Sequence, residues 1–307
     1  FKYIGHLTVD NLFVSSIFSG LVAILTAVKL SENSYQLDFD FSKLKLMLTF
    51  SSPLVLSGIG MYIAVYLDRF AIQYFLGSEQ LGIYAFATRF ALVSVLILAS
   101  VQSALTPLIY KNSNKIETPA EIEKIFYFFV AVFILVSGGA YLFSFEIVYI
   151  FGSIEYYGSK EIIPILVLAS LFNGIYIFFP GLFIYKKTKT ISLITITSAF
   201  VNGGANYALI PYIGIKGAAY STLLSSLCIT LLFLRLGHKY YPINFNWIKV
   251  SIAMIPSFFI LYLLLIYLPD LSWLNFIIKT FILFFVFIIV LFYLANKNIT
   301  NLRKVLN

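Results

Sequence analysis

The feature of this 307-residue chain that most constrains its fold is a series of nine long apolar runs separated by short polar gaps. The runs cover residues 12–28, 46–67, 83–110, 125–145, 162–185, 191–213, 217–234, 250–268 and 276–295. Each is close to the roughly 20 residues that an α-helix needs to cross a hydrocarbon layer about 30 Å thick. Lipid offers the backbone no hydrogen-bond partners, and β-barrel strands would show short alternating segments instead. The pattern therefore predicts an all-α polytopic membrane protein with about nine transmembrane helices.

Composition and motif content limit what such a protein can do. Hydrophobic residues make up 61% of the chain and charged residues 11%, so it cannot fold as one or two soluble domains. His6 and His238 lie far apart, Cys228 is the single cysteine, and the sequence has neither a Walker loop nor a Gly-x-Gly-x-x-Gly motif. We therefore predict no catalytic residue, no metal site and no cofactor. The net charge of +8 is spread over short loops, which does not indicate nucleic acid binding.

The basic residues between the runs predict how the chain crosses the membrane. Three lie in each of five segments, which are the gaps after the first, third, fifth and seventh runs and the C-terminal tail. They are Lys29, Lys43, Lys45, Lys111, Lys115, Lys124, Lys186, Lys187, Lys189, Arg235, Lys239, Lys249, Lys297, Arg303 and Lys304. The other side holds Lys2, Arg69, Lys160, Lys216 and Lys279. By the positive-inside rule the C-terminus is cytoplasmic. The intervening loops are too short for an external catalytic domain, which argues against an enzyme.

Three charged residues in or near the runs are candidates for function. Arg89 lies inside the third run, where a guanidinium costs on the order of 2.5 kcal/mol or more unless it faces water or a partner. It either lines a hydrated cavity or snorkels to the outer interface. Asp68 and Arg69 lie at the outer end of the second run, and a structural ion pair there is as good an explanation as a substrate contact. We expect no acidic residue suited to ion coupling within a run.

Uncharged polar and small residues repeat at helical spacing in several runs. Thr195, Ser198, Asn202 and Asn206 fall on one face of the sixth run, and Ser170 and Asn173 share a face of the fifth. Such faces point into the bundle, where they either form hydrogen bonds between helices or line a hydrated cavity. Small residues at i, i+4 spacing predict close helix packing. They are Ser16 with Gly20, and Gly217 with Ser221 and Ser225.

Two stretches of the chain resemble a known family. Residues 66–77, YLDRFAIQYFLG, and 81–89, LGIYAFATR, resemble the segment that joins helices seven and eight in bacterial polysaccharide repeat-unit flippases of the Wzx type. Residues 181–189, GLFIYKKTK, with Asn202 to Asn206, Leu209-Ile-Pro and 214–219, GIKGAA, look like the helix ten to twelve region of that family. The resemblance covers residues 42–236. The same superfamily includes lipid II flippases and multidrug and toxin extruders.

The resemblance implies the C-terminal part of a fourteen-helix, two-bundle transporter that lacks its first five helices. Residues 1–41 would be the last helix of the first bundle with its connecting cytoplasmic loop, 42–240 the second six-helix bundle, and 241–307 two additional helices with a cytoplasmic tail. Members move undecaprenyl-diphosphate-linked oligosaccharides from the cytoplasmic to the outer leaflet of the bacterial inner membrane by alternating access. Arg89 and Arg69 would supply positive charge to the cavity, beside Asp68, and Asn173, Asn202 and Asn206 would bind sugar hydroxyls.

The sequence is also compatible with two other functions. The closest is a cation-coupled drug extruder of the same fold, for which a buried acidic residue is expected. The second is a membrane polysaccharide polymerase or ligase, which needs catalytic side chains on a substantial outer loop, whereas the gap at 145–162 is short. For the flippase, the expected partners are the lipid-linked oligosaccharide, membrane lipids, and the polymerase and chain-length proteins of the same pathway.

Overall fold

A computed structural model describes residues 9–30, 40–268 and 272–296. In these ranges every regular element is a helix. The α-helices are α1 Val9–Leu30, α2 Phe41–Leu76, α3 Ser78–Asn112, α4 Thr118–Leu142, α5 Ser144–Phe151, α6 Ile163–Gly174, α7 Gly181–Ile184, α8 Thr188–Ile213, α9 Ile215–Tyr240, α10 Trp247–Tyr267 and α11 Trp273–Ala295. Two 3₁₀-helices, Ile154–Glu161 and Ile175–Phe178, flank α6. The prediction of an all-α protein is confirmed.

The helices are long and apolar enough for a multi-pass membrane protein. Within the described residues, seven single helices could cross a membrane, and a bent pair, Ile154–Glu161 with Ile163–Phe178, would make eight. The second predicted span, residues 46–67, lies inside α2, which is 36 residues long. At about 1.5 Å per residue, that helix is about 54 Å long, which exceeds the hydrocarbon thickness. The predicted number of nine spans is therefore approximate, although each predicted run corresponds to helical structure.

The fifth predicted run, residues 162–185, is not one continuous α-helix. It divides into α6, the second 3₁₀-helix and α7, and the 3₁₀-helix before α6 joins it at a bend of 48°. Pro180 explains the later break, because proline has no backbone N–H and disfavours helical geometry in the residue before it. Phe179 accordingly has a ψ of 64°. The hydroxyl of Thr230 on α9 donates to the carbonyl of Phe172 at 2.6 Å, which satisfies a backbone acceptor near the break.

The chain divides into two compact units, Phe1–Gly60 and Met61–Asn307. In the first unit, the described side chains of α1 are almost all exposed. The second unit has a continuous apolar core that includes the aromatic side chains of Phe126, Phe129, Phe133 and Phe178. The predicted division at residues 41/42 and 240/241 is based on the two-bundle resemblance and stays a prediction.

Packing in the second unit is built around α4, α6 and α9. Helix α4 contacts α6, α10 and α11, and α9 lies against both α6 and α8. Helices α8 and α9 approach closely at Gly217, where an added Cβ would lie 2.6 Å from the carbonyl carbon of Leu209. Ser221 and Ser225 follow on the buried face of α9, so the predicted close packing is confirmed there. For Ser16 and Gly20 it stays a prediction, since the described residues offer no heavy atom within 4 Å of a Cβ added at Gly20.

Candidate functional site

Asp68 forms hydrogen bonds with side chains from three other helices. Tyr84 of α3 donates its hydroxyl to Asp68 Oδ2 at 2.9 Å, and Thr222 of α9 donates to the same oxygen at 2.8 Å. Asn206 of α8 donates its amide Nδ2 to Asp68 Oδ1 at 2.6 Å. We call Asp68, Tyr84, Asn206 and Thr222 the polar junction. It joins α2, α3, α8 and α9.

Two glycine turns bring the polar junction together. Gly77 connects α2 to α3 with φ of 85°, and Gly214 connects α8 to α9 with φ of 63°, a backbone region that favours glycine over other residues. Each junction residue lies seven to nine positions from its turn. At about 1.5 Å per residue, all four side chains are therefore about 11–14 Å along their helices from the turns. The four side chains can meet because they lie at similar distances from the turns of the two hairpins.

The structure corrects the predicted position of Asp68. The sequence placed it at the outer end of a span, because apolar residues become less frequent after residue 67. In the structure α2 continues to Leu76, so Asp68 lies two helical turns before its end. The expectation that no acidic residue suited to ion coupling lies within a span stays a prediction, because α2 is longer than the hydrocarbon layer is thick.

A pocket of about 160 Å³ opens beside the polar junction. Its polar lining comes from Asp68, Arg69, Tyr84, Thr88, Ser170 and Thr222. Apolar lining comes from Ala91, Leu92, Val95 and Leu166. The guanidinium of Arg69 lies 4.6 Å from the ring centroid of Tyr66, a cation–π arrangement that holds the positive charge near the pocket. The pocket therefore presents a carboxylate, a guanidinium and several hydroxyls in a small volume.

Asn206 has an unfilled hydrogen-bond acceptor. Its Nδ2 donates to Asp68 and also to Asn202 Oδ1 at 3.0 Å, which uses both amide hydrogens. Its own Oδ1 is buried, and no partner for that atom is present in the part of the chain that the structure describes. A buried polar atom without a partner costs roughly 1–3 kcal/mol. A bound proton donor or cation would recover that free energy.

The charge of Asp68 also lacks a compensating ion pair. All three hydrogen bonds that it accepts come from neutral groups, and no salt bridge to it occurs among residues 9–30, 40–268 and 272–296. A proton would neutralise it directly. A monovalent cation would have as ligands the carboxylate and the hydroxyl oxygens of Tyr84 and Thr222. Chemically, the polar junction suits reversible exchange of a proton or a small cation.

The predicted site residues fall into three groups in the structure. Asp68 and Arg69 line the pocket, and Asn202 and Asn206 are buried directly behind Asp68 in the hydrogen-bond network. Asn173 is exposed at the end of α6, although Ser170 one turn earlier lines the pocket. Arg89 is exposed and outside the pocket wall, so its assignment to a substrate cavity stays a prediction.

Sequence reasoning missed Tyr84, Thr88 and Thr222. Tyrosine and threonine are common in apolar helices, so the sequence alone does not identify them as site residues. The available signal for Tyr84 and Thr222 was their distance from the glycine turns, which is similar to that of Asp68 and Asn206. The predicted inward face of α8 holds for Ser198, which donates to the carbonyl of Ser225 on α9 at 3.0 Å, and for Asn202 and Asn206, but Thr195 is exposed.

Comparison with known proteins agrees with the family resemblance. Residues 4–119 match the family model described as "Polysaccharide biosynthesis protein". The chain is similar in structure to "Lipid II flippase MurJ, inward closed conformation", with a TM-score of 0.69 and 18% sequence identity. The match covers 93% of this chain and 60% of that chain, so this chain spans about three fifths of the matched protein. No curated protein gives a significant sequence match. At this identity, the likeness to MurJ establishes a shared fold.

Proposed function

We propose that this chain, which resembles polysaccharide flippases in its fold and its family model, moves lipid-linked oligosaccharide units across the membrane. The polysaccharide biosynthesis family that residues 4–119 match and the structural likeness to a lipid II flippase support this substrate class. The specific substrate is an undecaprenyl-diphosphate-linked repeat unit for O-antigen, capsule or exopolysaccharide. The direction is from the cytoplasmic to the outer leaflet of the bacterial inner membrane.

The observation that carries the proposal is the polar junction at Asp68. Four helices place a carboxylate, two hydroxyls and an amide within hydrogen-bond distance of one another, beside a pocket. A transporter needs polar groups there, because its substrate or its coupling ion must find ligands when it leaves water.

The junction also suggests how an ion could drive transport. Its hydrogen bonds link the α2–α3 hairpin to the α8–α9 hairpin through a single carboxylate. Protonation of Asp68, or binding of a cation to it, changes which of these hydrogen bonds its carboxylate can accept. It therefore changes the relative stability of two arrangements of the hairpins. An ion gradient can then shift the equilibrium by the difference in ion affinity between the two arrangements. Alternating access would follow from that shift.

Arg69 and Arg89 have different supporting evidence in this proposal. Arg69 lines the pocket beside Asp68, so it is the better-placed cation for a diphosphate or an acidic sugar. Arg89 lies on α3, five residues after Tyr84, and its side chain is exposed. We propose that it contributes to the same cationic surface. Replacement of either residue by alanine should reduce surface polysaccharide while membrane insertion is retained.

One observation favours a drug extruder as the second candidate. The sequence argument against that class was the missing acidic residue within a span, and Asp68 weakens this argument. The polysaccharide biosynthesis family match still favours the flippase. A polymerase or ligase has less support, because residues 144–161 form α5 and a 3₁₀-helix, and two of the three acidic residues there, Glu146 and Glu161, are engaged in ion pairs.

A cell-based test distinguishes the candidates. In a strain that carries this gene and makes surface polysaccharide, Asp68→Asn should reduce surface polysaccharide and cause lipid-linked oligosaccharide to accumulate on the cytoplasmic leaflet. Glu155→Gln is the matched control, since Glu155 is an exposed carboxylate in the 3₁₀-helix Ile154–Glu161. Normal polysaccharide with Asp68→Asn at equal protein abundance would remove Asp68 from the mechanism. Unchanged polysaccharide in a gene deletion, together with sensitivity to cationic drugs, would favour the extruder.

A further inference from the structure

A second and larger cavity lies in the unit Met61–Asn307, away from the polar junction. Its volume is about 780 Å³, within the range of about 300–1,000 Å³ that is usual for ligand pockets. Helices α4, α6, α9, α10 and α11 contribute side chains to it, as do α5 and the 3₁₀-helix before α6. Leu142, Leu168, Phe258 and Leu265 are among its apolar lining residues. We call it the charged-rim cavity, because five charged side chains also line it.

The five groups are Glu146, Lys160, Glu161, Lys216 and Lys279. Lys160 and Lys216 lie in two gaps of the sequence and Lys279 lies near the start of the ninth run, and the charge pattern predicts all three to be on the outer side. The structure brings them to one cavity, as expected if these positions lie at the same end of the helices. The cavity therefore combines an apolar body with a rim that has positive and negative groups side by side.

Two ion pairs engage four of the five charged side chains. One lysine and one carboxylate oxygen have no polar partner within the described residues. Lys279 Nζ lies 3.0 Å from Glu146 Oε1 in a buried pair, and Lys216 pairs with Glu161 at the surface. Lys160 has no carboxylate partner within the described residues, and its Nζ lies 5.4 Å from the ring centroid of Phe145. Glu146 Oε2 is buried and has no hydrogen-bond partner in the same part of the chain.

We propose that the charged-rim cavity binds a phospholipid whose head group carries both a phosphate and a primary ammonium. The phosphate pairs with Lys160, the ammonium donates to the carboxylates of Glu146 and Glu161, and an acyl chain packs against the apolar lining. A head group with only negative charge has no ammonium that could donate to the vacant acceptor of Glu146. A quaternary ammonium has no N–H to donate, so it cannot fill the vacant acceptor of Glu146. This site is independent of the transported substrate.

The site would also join α10 and α11 to the bundle. Lys279 lies on α11, Phe258 and Leu265 lie on α10, and Lys160 and Lys216 lie on the 3₁₀-helix before α6 and on α9. A lipid in the cavity contacts both sides at once, so it stabilises the docked position of these two helices. Anything that binds the folded state and not the unfolded state raises its apparent stability.

The test measures lipid binding to the purified protein in detergent by native mass spectrometry. Phosphatidylethanolamine, phosphatidylcholine and phosphatidylglycerol with identical acyl chains are titrated separately. We expect phosphatidylethanolamine to bind about tenfold more tightly than either of the others, because each loses one charge-assisted contact. Equal affinity for the ethanolamine and choline lipids, or tighter binding of the glycerol lipid, would overturn the proposal.

Variants of Lys160 test whether the lipid binds in this cavity. Lys160→Gln should weaken phosphatidylethanolamine binding by about tenfold, and Lys160→Arg should retain it, since only the charge is needed for the phosphate. Lys239→Gln is the matched control, because Lys239 is exposed near the end of α9 and does not line the cavity. Unchanged lipid affinity in Lys160→Gln would contradict the site. An equal loss in Lys239→Gln would show that the effect is general surface charge, which also overturns it.

Discussion

Asn206 donates its side-chain amide to Asp68 at 2.6 Å, although 138 residues separate the two along the chain. The contact is possible because each residue lies a similar distance before a glycine turn, Gly77 for Asp68 and Gly214 for Asn206. Tyr84 and Thr222 lie at similar distances after those turns. Two helical hairpins of similar design therefore meet through their polar residues at one depth.

The first prediction concerns cation binding at Asp68. If the carboxylate exchanges a small cation, a monovalent cation in 100-fold excess over its dissociation constant should stabilise the folded protein by about 2.7 kcal/mol. Thermal unfolding of the purified protein would be followed in chloride salts of sodium, potassium and choline at constant ionic strength. Asp68→Asn should lose the response to the effective cation. If no salt stabilises the wild type, and pH alone shifts its Tm, then a proton is the exchanged ion.

The second prediction concerns the contact between α8 and α9. Gly217→Ala should lower stability by about 1–3 kcal/mol, because the new Cβ would lie 2.6 Å from the backbone of Leu209 and the helices would have to separate. Gly204→Ala on α8 is the control, since a Cβ there meets no heavy atom within 4 Å. Thermal unfolding in detergent compares the two. Similar Tm values for both variants would show that the helices can separate there without cost.

The third prediction concerns the buried pair of Glu146 and Lys279. Lys279→Met alone should destabilise the protein by about 3–5 kcal/mol, because Glu146 is then a buried charge without a partner. Combining it with Glu146→Leu should recover most of that loss, since apolar residues of similar size can replace a buried ion pair. The double-mutant cycle is measured by chemical unfolding. Additive losses would mean that the two side chains do not interact in the folded protein.

The fourth prediction concerns topology. In a Cys228→Ala background, a single cysteine at Lys187 should react with membrane-impermeant maleimide only after the cytoplasmic side is exposed. A cysteine at Glu155 should react in intact spheroplasts, because residues 154–161 follow the fourth predicted span on the outer side. Both positions have exposed side chains. Labelling of the Lys187 position from outside would reverse the proposed orientation, including the cytoplasmic C-terminus.

The sequence predicted the helices well because apolar runs of membrane length have few alternative structures. The polar face of α8 and the close packing at Gly217 also followed from residue spacing alone. The break at Phe179 and Pro180 was missed, since a proline inside an apolar run can bend a helix or end it, and only the surrounding backbone decides which. Helix ends were misjudged where polar residues continue a helix, as Asp68 does in α2.

Contacts between distant parts of the chain could not be predicted in the same way. Lys249 was assigned to the cytoplasmic charge pattern, but its Nζ is buried and donates to the carbonyls of Leu294 and Asn296 at 2.8 and 3.0 Å. It thereby caps the C-terminal end of α11. Lys279 was likewise predicted only to lie on the outer side, whereas in the structure it forms an ion pair with Glu146. Charge spacing predicts the side of the membrane, whereas pairing depends on how the helices pack.

The most direct test of the central claim is translocation by the purified protein in proteoliposomes. Undecaprenyl-diphosphate-linked oligosaccharide is placed in both leaflets, and its accessibility to an external glycosidase is followed under an imposed cation or proton gradient. We predict that the wild type makes the inner-leaflet pool accessible, that Glu155→Gln behaves like the wild type, and that Asp68→Asn abolishes the gradient-dependent part. Equal translocation by wild type, Asp68→Asn and protein-free liposomes would contradict the account.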